Sequence, residues 1–317
     1  MSGKPFGGNK VRKLEFLLAD ALYKGVNKII AIGGAGSNCT LVTIFYAKQL
    51  GLKCVAMLKP QANSTYVRNN LLLSYYHDAQ LHHYQSEQLR NFMVLSEFLS
   101  DKNKYGHYPY LAPLGSSSPV GIIGFVNAAF ELKEQIKSGI MSEPDLIYIP
   151  LGSMGTAVGL ILGLKAAGIK SKVIPVRVIP YQGDTAVLEM FQKTNNLLHN
   201  LDSSFPLFDV CIEDFNIEHK FIGDGFGVFT QEGIDAIKLL KDEEDITLDG
   251  TFTGKTFAAL AHDVKQKKID KNKTILFWNT YCEHSIVPDI DYKKLPFSFH
   301  HYFEEDVQEL DSKLFSK

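Results

Sequence analysis

The sequence predicts an α/β fold built on parallel sheets. Short β-like runs alternate with helical patterns along most of the 317 residues. Glycine-rich turns follow two of those runs and lead into helices. The length suits one large domain or two of ordinary size.

In chain order, residues 11–23 predict an amphipathic helix, because apolar residues recur there at three- and four-residue spacing. Residues 28–32 form a β-like run that ends in Gly33-Gly34-Ala35-Gly36-Ser37-Asn38, and 40–50 are helical. A second buried strand is expected at 53–58 and a helix at 61–76. Short strands are expected at 81–83 and 108–112. A long helix follows at 121–138, with Asn127, Glu131 and Glu134 on one side. Residues 145–150 predict a strand, then a glycine-rich turn and a helix. Residues 172–179 predict another strand, 230–240 and 255–265 helices, and 274–278 a late strand. Residues 181–218 read as irregular, and the stretch from Tyr302 onward as a surface helix.

Composition narrows the function classes. Hydrophobic residues make up 45% and charged residues 21%, which are globular proportions. A net charge of −2 gives no basic excess for nucleic acid or an anionic membrane. Cys39, Cys54, Cys211 and Cys282 are far apart and form no C-x-x-C pair, which suits reduced thiols in the cytoplasm. The first ten residues lack an apolar signal-peptide core. The most apolar stretch, 157–169, holds glycines and Lys165, and reads as a core helix rather than a membrane span. His77, His82, His83, His300 and His301 form no i, i+4 pair enclosing an acid, so no metal site is expected.

The motif richest in chemistry is Leu151-Gly152-Ser153-Met154-Gly155-Thr156-Ala157, where a strand meets a helix through a Gly/Ser turn. Glycines allow an anion close to the backbone. A helix N-terminus offers N–H groups and a positive dipole end, and Ser153 and Thr156 add hydroxyls. A phosphate suits this turn; an ordinary strand–helix connection is the alternative. Two further motifs are weaker. Gly34-Ala35-Gly36 begins like a dinucleotide fingerprint but lacks its last glycine. Gly250-Thr251-Phe252-Thr253-Gly254-Lys255-Thr256 approximates a P-loop with one residue too few.

Phe6-Gly7-Gly8-Asn9-Lys10-Val11-Arg12-Lys13-Leu14-Glu15 resembles the lysine motif of the D-cysteine desulfhydrase and 1-aminocyclopropane-1-carboxylate (ACC) deaminase family. These are pyridoxal phosphate (PLP) enzymes of fold type II, in the tryptophan synthase β superfamily. The resemblance continues through Gly36-Ser37-Asn38, through Pro113-Leu114-Gly115-Ser116-Ser117-Ser118-Pro119 with Gly124-Phe125, and through Gly152 to Thr156. It ends in Leu248-Asp249-Gly250-Thr251-Phe252-Thr253-Gly254-Lys255, which is similar to the family's Leu-Asp-Pro-Val-Tyr-Thr-Gly-Lys signature. It implies two open, twisted parallel-sheet domains: a large PLP-binding domain of residues 1–12 and 121–317, and a small domain of residues 13–120.

The resemblance also implies roles. Lys10 forms the Schiff base with PLP and moves the substrate proton. Lys13 lies near the cofactor phosphate. Ser37 contacts the substrate carboxylate or assists proton transfer. Asn38 bonds the PLP 3′-oxygen. Gly152, Ser153, Met154, Gly155 and Thr156 form the phosphate loop, and Thr280 meets the pyridine nitrogen. A lysine attacks only when neutral, so burial or a nearby cation such as Arg12 or Lys13 must favour its neutral form.

The chain departs from the family pattern in three places. Some tens of residues usually precede the lysine motif, so weaker folding or cofactor retention is expected here. Phe226 and Phe252 stand where ACC deaminases carry tyrosines near the substrate, which disfavours ACC ring opening. Thr280-Tyr281-Cys282 replaces a Thr-Gly-Gly. The reading is therefore a PLP-dependent lyase or deaminase, a cytoplasmic homodimer, acting on a small D-amino acid by β-elimination in the manner of a D-cysteine desulfhydrase. ACC deaminase or D-amino acid racemase activity, or a catalytically weak PLP-binding protein, are the alternatives.

Overall fold

The computed structural model describes residues 6–180, 183–282 and 288–315. It divides into two compact units, the described residues of Met1–Ser116 with His284–Lys317, and of Ser117–Glu283.

The first unit opens with helix α1 (Asn9–Tyr23), then strand β1 (Lys28–Gly34), α2 (Asn38–Gln49), β2 (Lys53–Lys59), α3 (Thr65–Tyr76), β3 (Gln80–His83), α4 (Glu87–Tyr105) and β4 (Tyr110–Ala112). All strand pairs are parallel, in the order β3-β2-β1-β4. Ile30, Val55 and Met57 form one buried face, covered by Met93, Val94 and Phe98 of α4. Serine caps set the helix starts: Ser37, Ser64 and Ser86 each accept the backbone N–H three residues on.

The second unit contains α5 (Pro119–Lys137), β5 (Leu146–Leu151), α6 (Gly155–Ala167), β6 (Lys172–Arg177), α7 (Asp184–Leu201), α8 (Gln231–Glu244), α9 (Thr253–Lys265) and β7 (Ile275–Phe277). Its strands are also parallel, in the order β6-β5-β7. Alternation along β5 serves two cores. Ile147, Ile149 and Leu151 face α5, α6 and α7, whereas Tyr148 joins Val176, Ala259 and Leu260 on the other side. The apolar stretch is α6, buried along nearly its whole length. A Cβ at Gly159 or Gly163 would come within 2.6 Å of the Cβ atoms of Phe125 or Ala129, so these glycines let α6 lie close against α5.

The chain ends with α10 (His301–Glu304) and α11 (Glu309–Phe315), which belong to the first unit. Arg68 Nε donates to the Tyr302 carbonyl at 2.7 Å, and Asp311 accepts from Thr65 N–H at 2.7 Å.

The fold class is as expected, but three expectations need correction. The compact units do not follow the boundaries 13–120 and 1–12 with 121–317. Residues 6–12 stay with α1, because Tyr46 Oη donates to the Phe6 carbonyl at 2.7 Å, and the C-terminal segment returns to α3. The stretch 183–218 is not wholly irregular. It contains α7, whose Thr194 and Asn195 hide the helical pattern yet are buried, Asn195 bonding the Pro206 carbonyl and the Phe208 N–H; Tyr181, where that expectation began, lies outside the described residues. The C-terminal stretch is not a simple surface helix, since Tyr302 is only 2% exposed.

Candidate active site

The lysine motif begins with a buried anchor. Phe6 packs on Phe45, ring centroids 4.5 Å apart. Gly8 then turns the chain with φ 77°, a left-handed value that a side chain would strain, and α1 starts at Asn9. Lys10 falls in the first turn, half-buried, with no hydrogen bond or ion pair to the described residues.

Lys13 lies one turn further along the helix and is fully buried. Its Nζ donates to the Gly115 carbonyl at 3.2 Å. Burial pushes its pKa well below the usual lysine range; the Lys10 charge lowers it further, and Cys39 opposes. Lys13 is thus within electrostatic reach of both the lysine motif and the Ser-Asn turn. Its amine is committed to the turn at Gly115, where Gly115 and buried Ser116 both hold positive φ, 64° and 53°.

Ser37 is the N-cap of α2. Its Oγ accepts the Thr40 N–H at 3.2 Å, which leaves its own hydroxyl hydrogen able to donate. Asn38 opens the helix. The residue before this pair is gripped on both sides. Gly36 N–H donates to Gln61 Oε1 at 3.0 Å, and its carbonyl accepts from Asn70 Nδ2 at 2.9 Å.

In the second unit, β5 ends at Leu151 and the chain passes through Gly152-Ser153-Met154 into α6. Met154 takes φ 67° as N-cap and supplies no capping side chain. The N–H groups of a first helical turn have no partner within the helix. Here the turn is lined instead by hydroxyls: Ser117 Oγ donates to Ser153 Oγ at 2.9 Å, and Thr156 is buried in the first turn. A Cβ on Gly152 would lie 3.1 Å from Phe252 Cε1. The Phe252 and Phe226 rings meet edge to face, centroids 6.4 Å apart. Thr280 follows β7, which pairs in parallel with β5, and Trp278 N–H extends that pairing to the Tyr148 carbonyl at 2.9 Å. Gly152 and Thr280 therefore both follow the carboxyl ends of neighbouring parallel strands, where open α/β sheets bind ligands.

The P-loop-like segment is excluded by its own chemistry. Asp249 fills the N-terminus of α9, its carboxylate accepting from the N–H groups of Thr251, Phe252 and Thr253 and from Thr253 Oγ1. Lys255 is fully buried and donates to the Ile222 carbonyl at 2.8 Å, with its pKa pushed down to about 8 by burial. A nucleotide phosphate meets a carboxylate there and no available lysine.

Four supporting roles were not read from the sequence: those of Gln61 and Asn70, and those of Ser117 and Asp249, which stand within the quoted motifs. A hydroxyl or amide in a loop carries no periodic signal, although Asp249, two residues before Thr251, is a recognisable capping pattern.

These features fit PLP. Helix α6 has an N-terminus that could accept a phosphate, Lys10 has an uncommitted amine, and Thr280 carries a hydroxyl in the same unit as α6. Beside Ser37 and Asn38, the buried Thr40 Oγ1 and Asn70 Oδ1 have no hydrogen-bond partner. A family model described as "Pyridoxal-phosphate dependent enzyme" matches residues 2–280. Among solved structures, an ACC deaminase homologue is similar at 27% identity and TM-score 0.73, over 90% of this chain and 82% of that one. A pyridoxal 5′-phosphate-dependent aspartate racemase is similar at 16% identity and TM-score 0.58, over 92% and 83%. A fungal L-serine ammonia-lyase from Rhizomucor miehei is similar at 16% identity and TM-score 0.56, over 95% and 90%. The last two share the fold alone.

Proposed function

The chain belongs to the family of pyridoxal-phosphate dependent enzymes, and we propose that it eliminates the β-substituent of a small D-amino acid of the D-cysteine type. Water completes the balance: D-cysteine and water give pyruvate, ammonia and hydrogen sulfide. The observation that carries this reading is the Phe226–Phe252 pair beside Gly152. It offers an apolar wall to a thiol-bearing side chain and no phenol to assist ACC ring opening.

When bound, PLP supplies the electron sink that lets the substrate α-proton leave. The chain supplies the rest. Lys10 is the covalent anchor and takes the α-proton, which requires its amine to be neutral. Ser37 turns its hydroxyl hydrogen to the substrate carboxylate, because its oxygen already accepts from Thr40 N–H. Asn38 bonds the cofactor ring oxygen. Gly152 to Thr156 hold the phosphate at the N-terminus of α6. Thr280 bonds the pyridine nitrogen and, being a hydroxyl, does not force its protonation as a carboxylate would. Lys13 supports the Gly115–Ser116 turn through the Gly115 carbonyl. A cytoplasmic homodimer belongs to the same proposal: the four cysteines form no disulfide, which suits a reducing compartment.

The test is an assay of the PLP-loaded protein with D-cysteine, beside Lys10→Ala. Sulfide and pyruvate released in equal amounts by the wild type, with visible cofactor absorbance that borohydride bleaches while leaving the cofactor covalently bound only when Lys10 is present, support the reading. A yellow wild type that releases neither product sinks it in favour of a binding protein.

A further inference from the structure

The C-terminal segment lies far from Ser37 in sequence, yet an unbroken run of hydrogen bonds within the first unit links them. Asn63 Nδ2 and Arg68 Nε both donate to the Tyr302 carbonyl, at 2.9 and 2.7 Å, and Arg68 also reaches the Glu305 carbonyl at 2.6 Å. Asp311, 1% exposed, accepts from both the N–H and the hydroxyl of Thr65. Tyr302 itself is buried, and its Oη accepts the Gln61 N–H at 3.1 Å. The side chain of Gln61 then turns back to accept the Gly36 N–H at 3.0 Å. Gly36 cannot move toward α3, where even a Cβ would lie 2.7 Å from Val67 Cγ2.

We infer that Gln61 is a positioning residue for the Ser37–Asn38 turn, and that Tyr302 of the C-terminal segment holds Gln61 in place. The Gly36 N–H belongs to the Ala35–Gly36 peptide, and the Gly36 carbonyl, which Asn70 holds, belongs to the next peptide, the one that enters Ser37. Gln61 on the first plane and Asn70 on the second together fix the torsions at Gly36, and with them the direction in which the Ser37 side chain leaves the backbone. The effect of Gln61 is on substrate capture. The inference rests on the role proposed above for Ser37.

The order of a short variant series separates this role from simple packing. Leucine at 61 keeps the bulk and removes the acceptor. Glutamate keeps an acceptor oxygen and adds charge. Phenylalanine at 302 removes only the phenol. The probe is D-alanine, which has the ammonium and carboxylate of the proposed substrate and no leaving group. It is titrated by visible absorbance into each protein at saturating PLP. Gln61→Leu is expected to weaken D-alanine binding about tenfold, Tyr302→Phe about threefold, and Gln61→Glu to stay within about threefold of wild type. Gln61→Leu binding as wild type does, or Gln61→Glu binding as weakly as Gln61→Leu, overturns the inference and leaves the proposed function standing. A PLP-loaded wild type that gives no response to D-alanine overturns both.

Discussion

Gly152 and Phe252 lie against each other: a Cβ on Gly152 would come 3.1 Å from Phe252 Cε1 and 3.8 Å from Ile179 Cδ1. The first residue of the Gly/Ser turn and the Phe252 ring therefore form one surface, and a change to either is felt by the other.

Gly152→Ala forces the Phe252 ring to yield by a few tenths of an ångström. It is expected to cost about 1 kcal/mol in cofactor affinity, or roughly fivefold in Kd, measured by PLP titration of the apoprotein. Unchanged affinity would show that the turn does not carry the phosphate.

The double variant Phe226→Tyr, Phe252→Tyr restores two phenols where the wild type has none. A positioned phenol assists departure of an amine or proton, so ammonia release from ACC is expected to rise at least about tenfold above wild type. No rise would mean that the missing phenols do not limit this reaction.

Asp249 satisfies three N–H groups and one hydroxyl at the start of α9. Asp249→Ala leaves them without that acceptor and is expected to destabilise the protein by about 2 kcal/mol, read as a lower melting temperature. Because the same carboxylate occupies the P-loop-like segment, millimolar ATP should leave the wild-type melting temperature unchanged.

Lys255 gives a pH signature. Burial lowers its folded pKa to about 8, partly opposed by Asp249 and Asp224, whereas the unfolded lysine titrates near 10.5. Between those values the unfolded chain binds the extra proton, so this group's contribution to stability rises as pH increases from about 8 to 10.5. Lys255→Met lacks that contribution. Melting curves at pH 7.5 and pH 10 should show wild type gaining on the variant at the higher pH. A constant or shrinking difference would be evidence against the buried lysine.

Much of the fold was legible because its signals are local. The 28–32 and 53–58 runs start where β1 and β2 start and end within two residues of them, and the turn at 152–156 reads from its glycines and hydroxyls alone. Helix α4 escaped because Leu89, Phe92, Leu95 and Leu99 are exposed on its outer side, which blurs the polar face that marks an amphipathic helix. Helix α7 escaped because its buried positions include Thr194, whose hydroxyl donates back to the Met190 carbonyl, and Asn195, whose amide is satisfied by a loop more than ten residues away. Lys10 carried no local pattern and was legible only through its place in an ordered set of motifs.

The sequence by itself determined the α/β class, the Gly/Ser turn at 152–156 between a strand and a helix, and the absence of phenols at Phe226 and Phe252, because side-chain identity and hydrophobic period need no partner to be read. Only the tertiary structure decided that Asp249 closes the P-loop-like segment, that Lys13 and Lys255 spend their amines on the Gly115 and Ile222 carbonyls, and that the C-terminal segment reaches the Ser37 turn through Tyr302 and Gln61. Each of those outcomes depends on a buried polar group finding its partner. Tyr302 and Gln61 are separated by 241 residues, a distance over which the local sequence pattern carries no information about which groups will meet.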